Sequence, residues 1–168
     1  MIIALTAFAA VLYLFNESQP STSTSNCNLE GKVIRVVDGD SITVLDNQKE
    51  QHKVRLAGID APERKQPYGK VARQFLAKHI FKKQVCVGWY KRDKYQRLVG
   101  VVRFEGEDMN LKLVKAGLAW HYKQYQNEQS KSDRTLYANA HEKAKDSEVG
   151  LWGHSRPVAP WLWRRGER

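Results

Sequence analysis

Lys32-Val-Ile-Arg-Val-Val-Asp-Gly-Asp-Ser-Ile-Thr-Val-Leu45 is the stretch from which the fold class follows. Residues 32–37 and 41–45 are rich in β-branched side chains, which suit a pleated, half-buried surface. Asp38-Gly39-Asp40 between them is a tight-turn signal, so the segment reads as two adjacent strands. His52, Val54 and Leu56 then alternate with Lys53 and Arg55, the period of a strand with one buried face. Residues 58–69 hold Pro62 and Pro67 and read as a loop. Residues 70–81 read as a helix with Val71, Phe75, Leu76, His79 and Ile80 on one side. Strands follow at 84–90 and 98–104, separated by the charged connection Lys91–Arg97. A short helix over 109–116 is capped by Gly117; a third covers 133–147, with Asp133 as N-cap and Gly150 beyond its end. This order predicts a mainly β, α+β chain: a five-stranded OB-type Greek-key barrel with three helices, a fold that binds oligonucleotides. A mixed α+β sheet is the alternative.

The 168 residues suit one domain plus a tail. Ile2–Phe15 is apolar but shorter than the roughly 20 residues a spanning helix needs. Residues 1–15 therefore read as an export signal or, uncleaved, as a membrane anchor, with a buried core helix as the plain alternative. Residues 16–31 read as a flexible Ser/Thr-rich linker, 32–153 as the barrel domain, and 154–168 as a basic, Trp-containing tail. The net charge is +10, and all 28 basic residues lie beyond residue 29. A compact basic domain points to an anionic partner such as a nucleic acid. Two cysteines exclude a disulfide-rich scaffold and a four-cysteine zinc site. Export, to the periplasm or the medium, would expose Cys27 and Cys86 to oxidation; a Cys27–Cys86 bridge is expected, against two independent thiols.

Two constellations carry the chemistry. Asp38 and Asp40 flank the first turn, and Asp60 and Glu63 follow the third strand in Asp60-Ala-Pro-Glu63. If the strands are neighbours these carboxylates converge, and oxygen donors with few His or Cys nearby favour Ca²⁺ or Mg²⁺ over zinc. As plain turn and loop residues they would have no such role. Arg55 and Arg97 supply planar guanidinium forks that match phosphate oxygens, or else are solvated strand residues. Together the two sets point to phosphoryl chemistry: cations offset developing charge while a carboxylate such as Glu63 orients or deprotonates water. The five histidines lack the i, i+4 pairing of a helical zinc site. No nucleophile elbow or phosphate-cradling glycine loop is present.

These residues together resemble the thermonuclease family, the staphylococcal-nuclease-like domain. The likeness runs from about Val33 to Trp152 through five motifs in order: Val36-Val-Asp-Gly-Asp-Ser41, Val54-Arg-Leu-Ala-Gly-Ile-Asp-Ala-Pro-Glu63, Asp93-Lys-Tyr-Gln-Arg97, Gly117-Leu-Ala119 and Gly150-Leu-Trp152. The resemblance implies an OB-fold barrel and a Ca²⁺-dependent, sugar-nonspecific phosphodiesterase that leaves 3′-phosphate ends on DNA and RNA. It maps one ion onto Asp40, Asp60 and the backbone carbonyl of Ala61, with Asp38 behind them. The general base maps onto Glu63, the phosphate-binding arginines onto Arg55 and Arg97, and further substrate contacts onto Lys94, Tyr95 and Tyr125. Ala61 and Ser41 stand where the family has threonine, Gln96 stands where glycine is frequent, and the Arg64–Tyr68 segment is short. Basic side chains interleaved with Tyr90 and Tyr95 favour single-stranded or frayed nucleic acid, since only unpaired bases offer a face for stacking. A monomer with no obligatory protein partner is expected. The alternative is a noncatalytic nucleic-acid-binding module; the complete set Asp40, Asp60, Glu63, Arg55 and Arg97 separates the two.

Overall fold

A computed structural model describes residues 27–167. The expected signal or anchor, residues 1–15, and the linker up to residue 26 lie outside the described residues. Among those described, no helix is long and apolar enough to cross a membrane. The strands are β1 (Leu29–Val36), β2 (Ser41–Asp46), β3 (Gln51–Leu56), β4 (Ile59–Asp60), β5 (Gln84–Arg92), β6 (Leu98–Phe104), β7 (Glu107–Asp108) and β8 (Trp120–His121). The helices are α1 (Gly69–Ile80), α2 (Met109–Lys115), α3 (Lys131–Asp146) and α4 (Pro160–Trp163), with 3₁₀ turns at Lys123–Glu128 and Gly150–Gly153.

Five strands close a barrel. β1 lies antiparallel between β2 and β5, β2 pairs with β3, and β5 pairs with β6. A parallel β3–β6 pairing shuts the ring, with Val54 opposite Leu98, Arg55 opposite Val99 and Leu56 opposite Gly100. This is the OB-type architecture expected from the strand order. Alternation does what the sequence pattern predicts on β3: Val54 and Leu56 are fully buried while Lys53 is exposed. The interior is filled by Val33, Ile42, Val44, Val54, Leu56, Val87, Leu98 and Val102, and the helices close it with Leu76, Ile80, Met109 and Leu113.

Some local readings shift. β1 begins at Leu29, so the last three residues of the expected linker are strand, paired through Glu30 with Cys86. Cys27 and Cys86 are disulfide-bonded there, with Cα atoms 5.5 Å apart. On α1 the inward stripe is Gly69, Ala72, Leu76 and Ile80; Val71 sits one position off it and is exposed. α3 starts earlier than expected because Ser130 is its N-cap: its Oγ accepts the Asp133 N–H at 3.0 Å, which places Asp133 in the first turn. Gly117, at φ 63°, follows α2 in the left-handed conformation that a helix end favours. The tail is packed: Ala159 joins Leu151 and Trp120 in a second small core, flanked by Trp152, Trp161 and Leu162.

One buried polar side chain ties the closing strand to the helical cap. Asn110 has no solvent exposure. Its Oδ1 accepts the Val102 N–H at 3.1 Å, and its Nδ2 donates to the carbonyls of Ala57 at 3.0 Å and Gly100 at 3.2 Å. Asn110→Ala removes the partner of the Val102 N–H and the Ala57 carbonyl, while the Gly100 carbonyl keeps the Ala57 N–H at 2.8 Å. An unpaired buried group costs about 1–3 kcal/mol, so a loss of about 2–4 kcal/mol is expected in denaturant unfolding.

His141 supplies a pH dependence. Its Nδ1 accepts the His121 N–H at 3.2 Å, which requires that nitrogen to be unprotonated. Burial pushes its pKa down to about 4, whereas the unfolded chain takes up the proton near pH 6.5. The contribution of His141 is therefore complete above about pH 6.5 and is lost as pH falls toward about 4. Between pH 7 and pH 4 the melting temperature of His141→Gln is expected to fall less than that of the parent chain.

Candidate active site

Each predicted acid is held by a different part of the barrel. Asp38 Oδ1 accepts the Asp40 N–H at 3.1 Å, which shapes the turn between β1 and β2. Asp40, buried in the turn just before β2, accepts the Ser41 hydroxyl on Oδ1 at 3.0 Å and the Ala61 N–H on Oδ2 at 2.7 Å. The second bond fastens the first turn to the segment after β4. Asp60 is 1% exposed and lies on β4, which pairs with β8 opposite Trp120. Glu63 follows on the loop into α1; its N–H donates to Gln66 Oε1 at 3.0 Å. That loop passes so close to α1 that a Cβ on Gly69 would stand 1.9 Å from the Glu63 carbonyl oxygen.

Arg55 gathers the acids. Its Nη2 lies 2.9 Å from Asp60 Oδ1 and 3.2 Å from Asp40 Oδ2. Its Nη1 donates to the carbonyls of Leu56 at 2.7 Å and Ile59 at 2.9 Å, so the guanidinium is fixed from both sides. The two carboxylates thus share one space, as the sequence reading requires. Burial and the neighbouring Asp40 push the pKa of Asp38 up to about 7. Burial also raises that of Asp60; Arg164 opposes the rise, Asp40 adds to it and Arg55 opposes it.

Arg97 is aimed by Asp93. Asp93 Oδ2 accepts from Arg97 Nε at 2.7 Å, and its Oδ1 accepts the N–H groups of Arg97 at 3.0 Å and Tyr95 at 2.9 Å. Gln96 sits at φ 62°, the left-handed conformation glycine adopts freely, so the loop keeps the shape that a glycine there would give. Lys94 Nζ and the Arg97 guanidinium lie 5.1 and 5.4 Å from the centre of the exposed Tyr95 ring. Tyr125 is also exposed, with Lys91 Nζ 5.6 Å from its ring. Asp38, Asp40, Arg55, Asp60, Ala61, Glu63, Lys94, Tyr95, Arg97 and Tyr125 all line one cleft of about 700 Å³.

Three participants were missed. Asp93 has a local signal, since an Asp before a short polar loop marks an Asx turn, but its grip on Arg97 does not show in the sequence. Ser41 fixes Asp40. Arg164, from the tail, has no local signal at all. Its Nη2 lies 2.8 Å from Asp60 Oδ2, and its Nη1 lies 3.3 Å from Asp60 Oδ1 and 2.8 Å from Glu63 Oε1. Burial works against its charge, but the two carboxylates outweigh burial and hold it firmly protonated.

The donor chemistry fits a hard cation. Asp40, Asp60 and Glu63 offer only oxygen, and a cationic group already bridges Asp60 and Glu63. Asp46, Glu50 and His52, at the far end of β2, form the described residues' one three-ligand cluster within 4.8 Å. There Asp46 is occupied in closing the β2–β3 turn, accepting the Glu50 N–H and contacting His52 Nε2, each at 2.8 Å.

A β-barrel whose cleft joins carboxylates to guanidinium groups has the set of side chains that phosphodiester chemistry uses. Residues 53–154 match the family model described as "Staphylococcal nuclease homologue". The chain is 38% identical over 150 residues to an "Uncharacterized endonuclease" of Haemophilus influenzae, covering 88% of this chain and 81% of the relative. It is 36% identical over 174 residues to a "Micrococcal nuclease" of Shigella flexneri, covering 98% and 94%. It is 40% identical over 116 residues to a "Staphylococcal-like nuclease CAN1" of Arabidopsis thaliana, covering 69% and 34%. The chain belongs to the staphylococcal nuclease homologue family.

Proposed function

We propose that this chain, a hydrolytic nuclease of the staphylococcal nuclease family, is a Ca²⁺-dependent enzyme that hydrolyses DNA and RNA at phosphorus and leaves 3′-phosphate ends. The observation that carries the reading is the single cleft in which Asp40, Asp60 and Glu63 meet Arg55 and Arg97. Asp40, Asp60 and the Ala61 carbonyl would hold the ion. When bound it supplies Lewis-acid charge neutralisation at the phosphodiester.

The chain's own residues do the rest. Glu63 orients a water and takes its proton as the water oxygen bonds to phosphorus and the bond to the 5′-oxygen breaks, the leaving oxygen taking a proton from solvent water to become a 5′-hydroxyl. Negative charge then builds on the non-bridging oxygens, where Arg97, held by Asp93, offers its planar fork. Arg55 keeps the two aspartates together and adds positive charge to the same space. Lys94 and Tyr95 would take a terminal phosphate, and Tyr125 would stack on an unpaired base, which favours single-stranded or frayed substrate. Recognition through phosphates and stacking carries little sequence choice. The enzyme would act as a monomer, exported to the periplasm or medium or anchored through residues 2–15, with the Cys27–Cys86 bridge suited to an oxidising compartment.

Purified chain should degrade single-stranded DNA and RNA with Ca²⁺ and lose activity in chelator, and end analysis of the products should find 3′-phosphates. Arg97→Ala should lower turnover about 10²–10³-fold, the scale for loss of one transition-state donor. Asp93→Asn keeps the backbone acceptor but loosens Arg97, so turnover should fall about tenfold or more with an unchanged melting temperature. Undiminished activity in chelator would overturn the metal reading.

A further inference from the structure

Arg164 reaches Asp60 and Glu63 across about a hundred residues of chain, and its seat is built. Gln66 Nε2 donates to the Val158 carbonyl at 2.5 Å, and Ala159 and Pro160 are buried. Trp161 then stacks on Tyr122, with ring centres 5.2 Å apart and planes 12° from parallel, and meets Trp120 edge-on at 6.4 Å. This anchoring fixes α4 so that the next residue but two, Arg164, reaches the cleft, where its guanidinium meets Asp60 and Glu63 while its side chain stays 44% exposed.

The guanidinium lands where a cation is wanted. Both oxygens of Asp60 contact it, and Oδ1 is also held by Arg55. A carboxylate has about four lone-pair directions, and these contacts take most of them on a group that water scarcely reaches. A hard divalent ion needs carboxylate oxygens at about 2.3–2.6 Å, and Arg164 competes for them by taking lone pairs on both Asp60 oxygens and by placing a like charge beside the ion's position. Glu63, the proposed base, is engaged by the same fork.

We propose that Arg164 is an internal competitor for the divalent ion, occupying its place on Asp60 and restraining Glu63 until the ion displaces the side chain. The proposal rests on the metal reading given above. The consequence is a weakened apparent affinity: if the seated arginine leaves the site open one-tenth of the time, the apparent Kd rises about tenfold over that of the open site.

The test is calorimetric Ca²⁺ titration of the full chain without nucleic acid, comparing the parent with Arg164→Gln and Arg165→Gln. Arg165 pairs with Glu167, so its replacement removes the same charge without touching the cleft. Arg164→Gln is expected to bind Ca²⁺ about tenfold more tightly than both the parent and Arg165→Gln. Should Arg164→Gln melt below the assay temperature, Arg164→Lys, a point charge unable to span both carboxylates, replaces it with the same expected sign. Affinity equal to or weaker than that of Arg165→Gln overturns the competitor role while leaving the metal reading intact. Failure of every chain to bind Ca²⁺ at millimolar concentration overturns the metal reading, and the competitor with it.

Discussion

Two carboxylates, Asp40 and Asp60, are buried against a single nitrogen of Arg55, and the rest of the site is arranged around that contact. Burying like charges together is unfavourable unless cations and hydrogen bonds compensate. Here the compensation comes from several places: the Ser41 hydroxyl and Ala61 N–H on Asp40, Arg55 between the two acids, and Arg164 on Asp60. The raised pKa directions of Asp38 and Asp60 record what remains uncompensated. Two buried carboxylates side by side call for positive charge, and the tail's guanidinium supplies some of it from within the chain.

The barrel makes the contact possible. Closure by the parallel β3–β6 pairing sets Arg55 opposite Val99, two residues past Arg97, so Arg55 on β3 and Arg97 just before β6 approach the same cleft side by side. Asn110 secures that seam from the helical side by bonding Ala57, Gly100 and Val102. The site is thus positioned by a rigid closure, while Lys94, Tyr95 and Tyr125 lie exposed on the loops and turns around it.

Strand existence and order were legible because period-2 alternation is local and strong on segments such as 51–56. The meeting of Asp40 with Asp60 was an inference from motif order, since each acid sits on its own turn. Local competition explains the shifted boundaries: Ser130 and Asp133 are both good caps, and the earlier one wins because its hydroxyl meets the N–H three residues on. Val71 misleads because one residue's displacement turns a helix position away from the core. Asn110 was detectable as a polar residue inside the apolar pattern of Met109, Leu111 and Leu113. Arg164 was not detectable: its partners lie 101 and 104 residues earlier, and only the docking of Trp161 brings it there.

The most direct measurement is anomalous diffraction from crystals of the chain soaked in a heavy Ca²⁺ surrogate such as a lanthanide. A dominant peak between the Asp40 and Asp60 carboxylates, with Arg164 withdrawn, is the result predicted. A peak confined to Asp46, Glu50 and His52, or ions only on the surface with Arg164 still seated on Asp60, would contradict the account.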